Sequence, residues 1–253
     1  MRRRPVFDFH AHLAAGPDAL RRLLETMDQH GIQRAVVVAG GAVGPDELSR
    51  QIVEGGHVED DADNEAVLSS CRQAEDRLVP FYFANPHREP DEYRRCAGAF
   101  RGLKLAPAVH GVPLTDARVT GLVEVAAQLG HPVYLHCLHR AGFGVRDLVT
   151  VATGFAQVNF VLGHAGVVNL DWHAVNLIAP HANVFFETSG GYTSVSAVAL
   201  RRLGPTRVVF GTEYPLQHPA VELAKLDALD LPEETWRQVA WANARRLIGE
   251  VTT

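Results

Sequence analysis

Cysteine is scarce in this chain. Cys71, Cys96 and Cys137 are odd in number and scattered, which excludes a disulfide framework and points to free thiols in a reducing compartment. Long apolar runs are missing too: Ala35–Ala39 is among the longest, far short of a bilayer span. Arg2-Arg3-Arg4 resembles the start of a secretory leader, but Asp8, His10 and His12 interrupt the apolar stretch that would have to follow. A cytoplasmic protein is therefore expected. No basic excess is present: the formal net charge is −5 and the pI about 6.2. Neither nucleic acid nor a membrane surface is an expected partner. A good phosphate-binding glycine loop is also lacking, since Gly40-Gly41-Ala42-Val43-Gly44 is a poor version of that fingerprint. Without a compositional break or an internal repeat, residues 1–253, 47% hydrophobic, read as one domain.

What the chain does have is thirteen histidines, several placed where strands should end. The first such place organises the rest. Val6-Phe7-Asp8-Phe9-His10-Ala11-His12 reads as a strand, and strand side chains alternate between faces. His10 and His12 then share a face with Asp8, while Phe7, Phe9 and Ala11 point the other way. Two adjacent imidazoles on a buried strand are costly unless something uses them, and a divalent transition metal would.

Seven more apolar segments follow, each preceded or followed by a helical pattern. Strands are expected at Arg34–Ala39, Leu78–Ala84, Gly102–Leu105, Pro132–His136, Val158–Gly163, Asn183–Glu187 and Arg207–Gly211. Helices are expected at Asp18–His30, Ala66–Glu75, Asp91–Cys96, Thr115–Leu129, Gly144–Thr153, Asp171–Ile178 and Ser194–Leu203, with two more from Ala220 and Glu233. Eight strands alternating with helices over this length predict a parallel α/β fold closed into a (β/α)8 TIM barrel. Residues 40–63 form a long polar segment with an acidic patch at Glu59–Asp61, expected to act as a lid over the mouth.

Active-site groups of such barrels stand at the C-terminal strand ends. Those ends carry His10 and His12, Lys104, His136, His164 and Glu213. Four histidines, a lysine and a carboxylate on one mouth point to a site of metal type. Cys137, next to His136, falls on the opposite face and reads as a buried thiol.

The segments FDFHAHL, RGLKL, PVYLH, VLGHAG, NVFFETSG and RVVFGTEYP, together with the closing WANARRLIG, resemble the strand-end motifs of the amidohydrolase superfamily. The resemblance is to the amidohydrolase-related group that includes hydrolases and decarboxylases of the aminocarboxymuconate semialdehyde type, and it runs the length of the chain. It implies metal ligation by His10, His12 and His136, with His164 as a second-metal ligand or as the group that activates water or substrate. The last strand end usually carries aspartate in that group; here Glu213, one methylene longer, implies either a fourth ligand or the proton carrier. Ala106 stands where a histidine is frequent. Lys104 is implied as an oxyanion partner or as a carbamylated bridge between two metals.

The function these readings imply is a metal-dependent hydrolase cleaving a C–N or C–O bond of a small amide, lactone or ester by metal-activated water, with zinc first and manganese second. A non-oxidative decarboxylase is the alternative, and a ligand-binding barrel without turnover the second alternative. Arg140, His139, Trp172 and Tyr192 are the expected substrate contacts, Arg140 as a clamp for a carboxylate. His87 and His110 are further strand-end candidates, Glu187 is expected to bond within the mouth or orient His164, and a homodimer is the expected assembly.

Overall fold

The computed structural model describes residues 4–250; Arg2 and Arg3 of the leader-like triplet lie outside that range. Nine strand segments alternate with helices, all neighbouring strands parallel. They are β1 (Val6–Leu13), β2 (Ile32–Ala39), β3 (Leu78–Pro80), β4 (Tyr82–Phe83), β5 (Leu103–Leu105), β6 (Val133–Leu135), β7 (Phe160–Leu162), β8 (Val184–Glu187) and β9 (Val208–Val209). β3 and β4 are one stave. Proline has no N–H to offer a ladder, but the stave bonds to both neighbours across Pro80: the Phe81 N–H donates to Val37 O of β2 at 3.0 Å, and the Tyr82 N–H to Gly102 O, just before β5, at 2.9 Å. The last stave meets the first through three backbone bonds. The Phe9 N–H donates to Phe210 O (2.8 Å), the His12 N–H to Tyr214 O (2.7 Å) and the Glu213 N–H to His10 O (2.9 Å). Eight staves thus close into the expected (β/α)8 TIM barrel.

The helices expected from the periodic patterns all form within a few residues of their places, and two others, Pro45–Glu54 and Pro107–His110, are additional. α1 (Ala19–His30) ends at Gly31 with φ +70°, a conformation that glycine adopts without a Cβ penalty. After α2 (Pro45–Glu54), α3 (Asn64–Gln73), α4 (Pro90–Cys96) and α5 (Pro107–His110) comes α6 (Ala117–Leu129), whose first turn is capped by the Asp116 carboxylate accepting the Arg118 N–H at 2.9 Å. α7 (Val145–Gly154), α8 (Trp172–Ile178), α9 (Thr193–Leu203), α10 (Pro219–Asp227), α11 (Glu233–Arg237) and α12 (Asn243–Leu247) complete the outer ring. None of the described helices is long and apolar enough to cross a membrane.

Beside a small cluster of Ala108, Leu138 and Phe143, the core divides into two large apolar clusters. The larger lies between strands and helices and holds Ala35, Val37, Leu103, Leu135, Cys137, Leu162 and Phe186. The smaller fills the barrel interior with Phe7, Phe9, Val36, Val38, Val79, Phe81, Tyr134, Val161, Phe185 and Val209, stoppered by Trp241, Ala244 and Leu247. Truncating one of its phenylalanines to alanine would cost about 3–5 kcal/mol.

That interior corrects the face expected for the first strand. Phe7 and Phe9 point into the barrel, whereas Ala11 packs outward. The pairing of β1 with β2 shifts register between Asp8 and Ala11, and the extra residue switches parity, as a β-bulge does. Below the shift the odd residues face inward; above it, His10 and His12 do.

The segment 40–63 is also more ordered than a loop. Its first half is α2, and its second half is stapled down: the Val58 N–H donates to Val109 O at 2.9 Å, and Arg88 pairs with Asp61 at 3.0 Å. Arg140 holds the end of α2, donating at 2.9 Å to Gln51 O, which also accepts the Gly55 N–H, at the negative end of the helix dipole. In the structure it acts as a latch on this segment.

Two outcomes test this account. A Cβ on the inward-facing Gly211 would stand 2.3 Å from Glu187 Oε1, whereas one on Gly98 would meet nothing within 4 Å. Gly211→Ala is expected to lose about 1–3 kcal/mol in urea unfolding, and Gly98→Ala to stay within about 0.5 kcal/mol of wild type. Removing the latch by Arg140→Ala is expected to raise amide hydrogen exchange across 45–56 at least tenfold while leaving β-strand protection unchanged.

Candidate metal centre

Asp8 sets the geometry. Its Oδ1 accepts the His10 N–H at 3.0 Å and the Thr212 N–H at 2.9 Å, and Oδ2 accepts the Thr212 hydroxyl. Burial raises its pKa to about 8, against the pull of the three donors. These bonds tie the first strand end to the loop after β9. That loop lifts Glu213 over the histidines on a left-handed backbone, φ +62°. His164 and Ala165, after β7, are left-handed as well, at φ +58° and +54°. Non-glycine residues held there mark sites where the surrounding structure enforces position over comfort.

The donor atoms converge. His10 Nε2 lies 3.1 Å from His12 Nε2 and 2.9 Å from Glu213 Oε2. Glu213 Oε1 is 3.5 Å from His12 Nε2, and Oε2 is 2.9 Å from His164 Nδ1. One ligand atom each from His10, His12 and Glu213 fits within a 4.8 Å span. Burial alone would raise the Glu213 pKa, but the His164 and His10 imidazoles hold it well below the usual carboxylate range. Burial, followed by the Lys104 charge, lowers His10 well below its ordinary value. It is a neutral imidazole, the form that binds metals.

Two observations show that these residues fit a divalent cation. Glu213 Oε2 is buried and, although close to two imidazoles, has no partner with hydrogen-bond geometry. In addition, His12 Nδ1 stands 3.3 Å from Ala39 O. A carbonyl only accepts, so the proton is on Nδ1 and the bare Nε2 faces the cluster, as in outer-shell support of a metal-bound histidine.

His164 is oriented from below. Its Nδ1 is 3.1 Å from Ser189 Oγ, and Ser189 donates its own hydroxyl proton to Glu187 Oε2 at 2.8 Å. The serine oxygen must therefore accept from His164, which puts the proton on Nδ1. Glu187 also accepts from the Tyr134 hydroxyl at 2.8 Å and from the His164 N–H at 3.0 Å, so it orients His164 through both backbone and side chain. Ser189 and Tyr134 were not among the residues expected from the sequence. Tyr134 lies two positions before His136 on the same strand face, so alternation could have found it. Ser189 carries no such signal.

Lys104 lies enclosed, 1% exposed, with Nζ 3.5 Å from His10 Nε2 and 4.2 Å from the centre of the Tyr134 ring. Burial lowers its pKa to about 8, against the charges of Glu213 and Glu187. It supports His10 from beneath and does not face the opening. His136 is on the same mouth, its ring 5.6 Å from that of His164, but it stands outside the three-donor set, and its Nε2 accepts the Ala108 N–H at 3.3 Å. Burial, then Lys104 and His164, keep it neutral. His139 and Arg140 line a separate cavity with Val167, Asp171 and His173. Trp172 and Tyr192 stand on the outer rim, 44% and 57% exposed. His87 and His110 are used structurally, His87 Nε2 lying 2.8 Å from His110 O and His110 Nε2 3.4 Å from Asp60 O.

Comparison with known proteins places this geometry in a family. A family model described as amidohydrolase matches residues 7–249. Among solved structures, the chain is similar to a Staphylococcus aureus protein assigned as an amidohydrolase: 15% identity, TM-score 0.73, covering 97% of this chain and 99% of that one. It is similar as well to 5-carboxyvanillate decarboxylase from Novosphingobium aromaticivorans, complexed with manganese and 4-hydroxy-3-methoxy-5-nitrobenzoic acid: 16% identity, TM-score 0.72, coverage 97% and 95%. A Pseudomonas putida protein assigned as a 2-pyrone-4,6-dicarboxylic acid hydrolase shares 17% identity, with TM-score 0.72 and 98% coverage of each chain. No curated protein matches the chain in sequence. At these identities the structural likeness is one of fold, whereas the family model spans nearly every described residue, and the chain belongs to the amidohydrolase family.

Proposed function

We propose that the protein is a metal-dependent hydrolase that cleaves a C–O or C–N bond of a small carbonyl compound. The observation that carries this reading is the buried, ionised Glu213 carboxylate, set 2.9 Å from both His10 Nε2 and His164 Nδ1 and lacking a hydrogen-bond partner of its own at Oε2. His10, His12 and Glu213 would hold the ion. When bound there, a divalent cation supplies Lewis acidity, polarising a carbonyl and lowering the pKa of water toward ~7. Two imidazole nitrogens and a carboxylate oxygen suit zinc and manganese alike.

The chain's own groups supply the proton handling. Glu213 Oε2 is the acceptor for the proton of the attacking water, since it is ionised and has no competing donor in good geometry. The His164 Nδ1–H is committed to Ser189, and Ser189 and Glu187 keep that ring from turning beside the carboxylate. Lys104 lies within the barrel under the charges of Glu213 and Glu187.

Decarboxylation is the second reading, favoured by the fold shared with the Novosphingobium decarboxylase. It asks for a cation to grip the substrate carboxylate. Among the described residues Arg140, the expected clamp, latches α2 and lines a separate cavity, and Lys104 is enclosed against the donor cluster, 3.5 Å from His10 Nε2. This disposition favours hydrolysis of an uncharged carbonyl compound.

Elemental analysis of protein purified without chelator is expected to find about one divalent ion per chain, falling at least fivefold in His12→Ala and Glu213→Ala. Glu213→Gln is expected to lower turnover of a responsive ester, lactone or amide by about 10²–10⁴-fold. A chain that takes up no ion even after loading, or keeps full turnover as Glu213→Gln, would overturn the proposal. Release of carbon dioxide from hydroxybenzoates, with no hydrolysis across a lactone and amide panel, would transfer the assignment to the decarboxylase.

A further inference from the structure

A cavity of about 240 Å³ opens beside the donor cluster. His12 forms one end of it. The rest is apolar or bare backbone: Gly40 to Pro45 along one wall, Leu48 projecting from α2, Phe83 and Val109 opposite, and Leu216 at the rim. Among its lining residues His12 alone is titratable, and no arginine, lysine, aspartate or glutamate takes part. Of the acidic patch at residues 59–61, none lines this cavity, and Asp61 accepts from Arg88 and from the Asn85 amide. The fold therefore places an apolar, uncharged compartment against the imidazole whose Nε2 faces the cluster.

We propose that this compartment binds an uncharged, apolar body of the substrate, an alkyl or aryl group attached to the reacting carbonyl, with Leu48 as a residue that determines its specificity. The reacting end rests on the hydrolase reading; the chemistry of the compartment does not. A charge carried into it would be stripped of water without gaining a partner, which apolar walls penalise heavily. Each methylene buried there instead adds a fixed increment of affinity, up to the depth of the cavity. Leu48 is the lever because it is half-buried on a surface helix, so a substitution reaches the cavity without passing through the barrel core.

The test is equilibrium binding, followed by calorimetry on the full-length, metal-loaded protein and independent of turnover. The probes are propanamide through hexanamide, and two analogues of hexanamide charged at the far end, 6-aminohexanamide and adipamic acid. Affinity is expected to rise about fourfold per methylene, and both charged analogues to bind at least tenfold more weakly than hexanamide. Leu48→Glu is expected to recover at least tenfold for 6-aminohexanamide and to weaken hexanamide. Undetectable hexanamide binding at millimolar concentration, affinity independent of chain length, or either charged analogue within threefold of hexanamide would each overturn the proposal. The wild-type series decides by itself if Leu48→Glu fails to fold. Hexanamide that binds as expected but is never hydrolysed, alongside lactones and esters that also resist, would leave the compartment standing and remove only the hydrolase reading.

Discussion

One buried carboxylate keeps the two ends of the barrel wall together where the chemistry would happen. Asp8 accepts the backbone of His10 on the first strand and the backbone and hydroxyl of Thr212 beyond the last. More than two hundred residues separate those groups along the chain. Their juxtaposition fixes the distance between His10 and Glu213, because Glu213 follows Thr212 directly and its own N–H donates to His10 O. Barrel closure and donor convergence are thus a single event: a seam that opened would also scatter the ligands.

The barrel interior beneath the site is arranged to hold polar groups without leaving them unpaired. Glu187 is fully buried yet accepts from Tyr134, Ser189 and the His164 backbone. It can do so because its inward neighbours are small. At Gly163 a Cβ would press within 2.3 Å of the Tyr134 hydroxyl, and Gly211 yields the same room to Glu187 itself. Lys104 completes the balance as a buried cation over the Tyr134 face. The layer below is hydrocarbon, with Phe7, Phe9, Phe81 and Phe185 packed together. A polar layer fully satisfied above an apolar one is what lets charged groups persist at depth.

Much of this was legible in the sequence, because strand and helix periodicities are local. All eight staves fall within a few residues of their expected positions, and the glycines after α1 and α6 end those helices as read. His10, His12 and Glu213 come together as their strand-end positions implied. The misreadings share one cause, dependence on a partner distant in sequence. Alternation assigned Phe7 and Phe9 to the face away from the histidines; the register shift that puts them in the barrel arises from pairing with β2 and leaves no local trace. Arg140 was read as facing the mouth because it follows a strand end, but its destination is the carbonyl end of α2, itself hidden inside a polar, glycine-containing stretch. His136 shares the mouth, yet its Nε2 is engaged by the Ala108 amide, on a short helix that four residues around Pro107 could not announce.

The wall of the apolar compartment has a consequence for how this protein can change over generations. Ala14, Ala15, Ala39, Gly40, Gly41 and Ala42 contribute hydrogens, methyl groups and backbone to it. Apart from alanine to glycine, point substitutions at such positions add atoms, so most mutational steps open to the wall lead toward narrower selectivity, and few toward broader. Along this wall, enlarging the chamber requires a change in the path of the main chain, an insertion or deletion near the glycines; on its other sides a shorter side chain at Leu48, Phe83 or Val109 is enough. On the glycine side the lineage would then diversify its substrates by altering loop length between the second strand and the helix that follows, with the donor cluster left untouched.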